Sequence, residues 1–115
     1  MRPASLLLLL TSWWPMAGHA AGDVPVPVAH CYERLLERVP KRTAYSALLA
    51  NETQLAAARV ERGQAAFSAR IAKPVSLRVR IEGNARRNGQ DFPVWLKCGY
   101  QGDTLVTWEI EKRRG

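Results

Sequence analysis

Asn88-Gly89 separates two runs in which apolar and polar residues alternate, and that dipeptide leaves the surrounding chain few options. Upstream, Val75, Leu77, Val79 and Ile81 alternate with Ser76, Arg78, Arg80 and Glu82, the period of a strand with one buried face. Asn-Gly is the strongest short signal for a two-residue hairpin, because both central residues of that turn take a positive φ. A turn at 88 and 89 pairs positions whose numbers sum to 177. Ile81 then faces Leu96, Val79 faces Cys98, Leu77 faces Tyr100, Ala85 faces Phe92, and Arg86 meets Asp91. A slip of one residue would turn every apolar side chain to the other face, so the alternation itself fixes the register.

The second turn is less constrained. A two-residue loop at Gly102-Asp103 would set Cys98 opposite Thr107 and turn Val106, Trp108 and Ile110 outward. A three-residue loop, Gln101 to Asp103, with Gly102 in a left-handed bulge position, instead sets Cys98 opposite Val106 and Leu96 opposite Trp108. The second arrangement keeps Trp108 in the core, and the sequence predicts it. The outer face of the resulting meander then carries Arg78, Arg80 and Glu82, Trp95 and Lys97, and Leu105, Thr107, Glu109 and Glu111.

Before the strands the period lengthens. Cys31, Tyr32, Leu35, Leu36 and Val39 recur at helical spacing, and Cys31 shares the apolar stripe with Leu35 four residues on. Pro40 is expected to end this first helix after about two turns. Pro25 and Pro27 predict an extended lead-in over 22–30. Residues 43–71 are rich in Ala and other good helix formers, with Thr43 a candidate N-cap and Tyr45, Leu48, Leu49, Ala56, Val60 and Phe67 as a stripe. Asn51 followed by Gln54 has the form of a capping box, so a break near residue 51 is expected. The predicted fold is α+β: two N-terminal helices packed on one face of a three-stranded antiparallel meander (α-α-β-β-β), over residues 31–115.

The N-terminus speaks for the compartment. Arg2, an apolar stretch around Leu6 to Leu10, and small residues from Ala17 to Ala21 have the layout of a secretory signal peptide, with residues 1–21 removed. That stretch falls short of the roughly 20 apolar residues of a membrane span, and no later segment reaches it. Only two cysteines exist, Cys31 and Cys98, and in an oxidising compartment such a pair reads as one disulfide. A periplasmic or secreted product is expected. Its charge is basic: cleavage removes only Arg2, which leaves 16 basic against 10 acidic residues.

Basic surface favours polyanions. For an exported chain these are anionic envelope components and acidic proteins; nucleic acid enters only if the product is delivered into a cell. Catalysis has little to work with. His30 is the one histidine left after cleavage, no serine sits in a nucleophile-elbow context, and the cysteines are taken by each other, so no catalytic residue, metal or cofactor is expected. The outer sheet face offers more. Trp95 among Arg78, Arg80 and Lys97 places an aromatic ring where a solvated face needs none, and Arg80 directly opposite Lys97 sets like charge against like. These four residues are the candidate binding face of a non-catalytic interaction module. The alternatives are a secreted effector or toxin-like protein and, third, a small hydrolase centred on His30.

Overall fold

The computed structural model describes residues 23–114, so the expected signal peptide lies outside the described residues. In chain order the elements are α1 (Val26–Arg42), β1 (Ala47–Leu49), α2 (Glu52–Ala56), β2 (Arg59–Ala66), β3 (Pro74–Arg87), β4 (Gln90–Gln101) and β5 (Thr104–Lys112). One long helix lies over one face of an antiparallel sheet of five strands. None of the helices among the described residues is long and apolar enough to cross a membrane.

α1 starts inside the stretch expected to be extended. Pro27 sits in the first turn, where a missing amide costs nothing, because the first four N–H groups of a helix have no partner within it. The Pro25 carbonyl closes that turn by accepting from Val28 N and Ala29 N at 3.0 and 3.1 Å. The extended lead-in therefore stops at Pro25. At the other end Pro40 lies inside the helix, which runs on to Arg42. Thr43 is the C-cap of α1, not the N-cap of a second helix: its backbone N–H donates to Val39 O, and so does its hydroxyl. The buried stripe is Val28, Cys31, Leu35 and Val39, while Leu36 is largely exposed.

Residues 43–71 do not form the expected second helix, and the meander of three strands is a sheet of five. β3 is 14 residues long and takes β4 along one edge. Its other edge would be a row of open N–H and C=O groups without further strands. Two short strands cover it end to end: β1 pairs Ala47 with Arg86 and Leu49 with Asn84, and β2 pairs Arg59 with Arg80 through to Ala66 with Pro74. Helix propensity is a weak prior of tenths of a kcal/mol per residue, and the pairing of an exposed edge outweighs it. Asn51 does not break a helix, since a strand precedes it, but its capping box forms. Asn51 Oδ1 accepts from Gln54 N at 2.8 Å and Gln54 Oε1 from Asn51 N at 2.9 Å, a capping box that starts the single turn of α2.

The first hairpin has the register that the alternation requires, with Ile81 on Leu96, Val79 on Cys98, Leu77 on Tyr100, Ala85 on Phe92 and Arg86 on Asp91. Asn88 and Gly89 both have positive φ, 53° and 77°. The second turn differs from expectation. Gln101 faces Thr104 across a two-residue Gly102-Asp103 turn, and the register then shifts between Gly99 and Tyr100, so that Cys98 faces Trp108 and Leu96 faces Ile110. The bulge at Val106 does the work expected of a longer loop. It keeps Trp108 and Ile110 packed against the core, while the two-residue turn sets Leu105 opposite Tyr100, on the core side instead of the outer face.

The core forms where the α1 stripe meets Leu48, Leu77, Val79, Ile81, Ala85, Val94, Leu96, Cys98 and Tyr100. Ile81, Leu96 and Leu35 are fully buried, each worth about 1.5–3 kcal/mol relative to exposure. Cys31 and Cys98 form the disulfide that joins α1 to β4, with Cα atoms 6.0 Å apart and a separation of 67 positions in sequence.

Candidate functional site

The face of the sheet turned away from α1 is built by the same alternation that fills the core. Because Arg59 pairs with Arg80, Arg80 with Lys97 and Lys97 with Glu109, one transverse row across four strands reads Arg-Arg-Lys-Glu. Facing Cα atoms in such a ladder stand about 4.5–5.5 Å apart, so three cations are held side by side by the backbone. The four residues predicted from sequence, Arg78, Arg80, Trp95 and Lys97, do share this face. Arg59 and Glu61 join them from β2, a contribution invisible while that segment read as helix.

Each charge has a distinct setting. Lys97 is mostly covered and lies 3.4 Å from Glu109 Oε1 and 3.0 Å from Glu111 Oε1. Arg78 pairs with Glu61 at 3.3 Å through Nη2, while its Nε is buried without a hydrogen-bond partner. Glu82 is held by Arg113 at 3.0 Å. Arg113 also donates to the carbonyls of Gly83 and Val94, so the basic tail is tied down there rather than frayed. The guanidinium of Arg80 stacks on Trp95, 4.4 Å from the ring centroid, with Arg113 at 5.7 Å from the same ring. Arg59 and Arg80 form no ion pair among the described residues.

Glu109 is the most buried carboxylate on the face, 6% exposed. Burial pushes its pKa up, but hydrogen bonds from Arg70 and Ser68 and the positive charge of Lys97 and Arg70 hold the carboxyl below its ordinary value. Arg70 reaches it from the loop after β2, donating from Nε to Oε2 at 2.7 Å. Oε1 is within ion-pair range of Lys97 but takes no well-formed hydrogen bond. The same loop lays Phe67 over Gly99. A Cβ at Gly99 would stand 2.7 Å from the Phe67 ring and 2.8 Å from the Thr107 methyl, so only glycine lets that ring settle on the sheet. Phe67 closes one end of a depression of about 260 Å³ whose walls are Arg59, Glu61, Arg78, Arg80 and Lys97. A smaller one of about 120 Å³, lined by Arg59, Arg80, Glu82, Trp95 and Gln54, adjoins it.

His30 is placed elsewhere, at the edge of the core face. Its Nδ1 and the Tyr100 hydroxyl are hydrogen-bonded at 2.7 Å, and both line an apolar recess of about 350 Å³ with Val26, Leu77 and Asp103. Burial pushes the Tyr100 phenol up to about 12. The Tyr100 contact was not foreseeable, because 70 residues separate the pair in sequence. No protein-family model matches the chain, no curated protein matches its sequence and no solved structure matches its fold.

Proposed function

We propose that this chain is an exported, non-catalytic interaction module of the bacterial envelope, which holds an anionic envelope component or an acidic protein on its open sheet face. The observation that carries the reading is the Arg59-Arg80-Lys97 row, in which two of three adjacent cations form no ion pair with a carboxylate among the described residues. Opposed like charges are unfavourable, and an anionic partner removes the penalty. Glu109 neutralises only the Lys97 end of the row and is shared with Arg70, while Glu82 is engaged by Arg113, so neither carboxylate forms an ion pair with Arg59 or Arg80. Trp95 holds the Arg80 guanidinium in place by cation-π contact, an arrangement suited to a binding anchor. A disulfide between the only two cysteines fits an oxidising compartment.

Trp95→Ala combined with Arg80→Glu tests the reading. The double variant should keep the fold, by circular dichroism and thermal midpoint, and lose retention of its partner from an envelope extract. Undiminished recovery of the same partner would sink it. A secreted effector is the alternative, favoured by finding the protein outside the producing cell. Hydrolytic activity lost in His30→Ala would move the site to the Tyr100 recess.

A further inference from the structure

We propose that Arg59 and Arg80 form a clamp for a phosphate monoester, the dianionic group carried by sugar phosphates and by some lipid headgroups. This rests on the open face being the contact surface, and it names the chemistry that this surface selects. Six cations here, Arg59, Arg70, Arg78, Arg80, Lys97 and Arg113, are opposed by four carboxylates, each already engaged: Glu61 by Arg78, Glu82 by Arg113, and Glu109 and Glu111 by Lys97 with Arg70. The two cations left over are neighbours across the β2–β3 ladder and stand between the two depressions.

Two adjacent positive charges call for two negative charges on one small group. A phosphate monoester carries about −1.5 to −2 at neutral pH. A phosphodiester or a single carboxylate supplies only one. Guanidinium forks match phosphate oxygens with paired, charge-assisted hydrogen bonds, which an ammonium does not. The Arg80 guanidinium lies over the Trp95 ring, its Cζ 4.4 Å from the centroid, and none of its N–H groups meets an acceptor among the described residues. Arg78 also lines this depression, with its guanidinium shared with Glu61 and its Nε buried beneath. The size is consistent with a headgroup: 260 Å³ is below the roughly 300–1,000 Å³ of sites that enclose a whole small molecule, so the rest of the ligand stays in solvent.

The test is a titration of the purified, disulfide-bonded protein with glycerol 3-phosphate, read on the arginine Nε–Hε signals by NMR, with dimethyl phosphate and acetate as singly charged comparators. Glycerol 3-phosphate should shift Arg59, Arg78 and Arg80 and bind at least about tenfold more tightly than either comparator. Arg59→Gln and Arg80→Gln should each weaken it about tenfold, the loss of one charged hydrogen-bonding group. Arg38→Gln on α1 should leave it unchanged. Binding to phosphatidylcholine vesicles containing phosphatidic acid, tighter than to glycerol 3-phosphate, would assign the monoester to a lipid; the reverse order would assign it to a soluble or wall-borne ester. Equal affinity for glycerol 3-phosphate and dimethyl phosphate overturns the clamp, while loss of the envelope partner in the Trp95/Arg80 double variant would still uphold the contact face. Selective monoester binding with undiminished recovery by that double variant does the opposite, keeping the clamp and removing the proposed contact face.

Discussion

The two faces of the sheet are made by the same strands and held by different physics. Under α1, side chains such as Ile81, Leu96 and Val94 are wholly removed from water, and a disulfide ties the layers together. On the open face the cover is the Glu61–Arg78 ion pair and the linked set Arg70, Glu109, Lys97 and Glu111, one ring laid over a glycine, and an arginine over a tryptophan. Hydrophobic burial is non-directional and scales with area, so the covered face tolerates no polar intrusion but asks for no partner. Ion pairs at a half-exposed surface contribute little each, and their stoichiometry can leave charge over. The covered face makes the fold, and the open face is left with two arginines to spend on something else.

Substitutions can break or sharpen that contrast. The largest effect should come from Cys31→Ser with Cys98→Ser, which releases a loop of 67 residues and should cost about 4 kcal/mol in urea denaturation. A loss below about 1 kcal/mol would mean that α1 is held by packing alone. Next, Ile81→Ala and Arg80→Ala change neighbours in sequence that point to opposite faces. The first should cost about 2–5 kcal/mol and the second no more than about 0.5. Comparable losses would erase the distinction between the faces. Gly99→Ala probes the one tight spot on the open face and should cost about 1–3 kcal/mol, because the Phe67 ring and the Thr107 methyl must both give way.

Smaller still is Glu109→Gln, at about 1–2 kcal/mol near neutral pH. Its sign with pH follows from the lowered carboxyl pKa. The folded value lies below the unfolded one, so the ionised group stabilises the fold fully above the unfolded pKa and loses that contribution as pH falls through the folded pKa. The gap between wild type and variant should therefore narrow in acid, measured as urea midpoints across the acid range. A gap independent of pH would show that Glu109 acts by shape and not by charge.

Much of the open face was legible in advance because β3 and β4 are long, alternate cleanly and are joined by Asn-Gly. Arg78, Arg80, Trp95 and Lys97 were placed by counting alone, and Cys98 was turned toward Cys31 by the same count. β2 gave no such signal. Val60 is the single large apolar side chain in Arg59–Ala66, most of its neighbours are exposed, and its register breaks between Arg62 and Ala65, so neither period shows. Arg59 consequently escaped notice, and with it the second unpaired cation. Leu105 was misplaced for a related reason: a bulge lets the two-residue turn keep Trp108 against the core without leaving a mark in the alternation.

By itself the sequence determined what is local or repeats: the first hairpin and its register, the pairing of two lone cysteines, the Cys31, Leu35 and Val39 part of the α1 stripe, and the capping box at Asn51. Each depends on residues a few positions apart, or on an elimination that leaves one choice. Only the tertiary structure decided the fate of residues 43–71 and the composition of the charged row. Helix propensity there is worth tenths of a kcal/mol per residue, whereas the open edge of a 14-residue strand offers a ladder of backbone hydrogen bonds to any segment that can reach it. That edge exists only once β3 has folded against β4, so no window of sequence around Arg59 could reveal that it would stand beside Arg80.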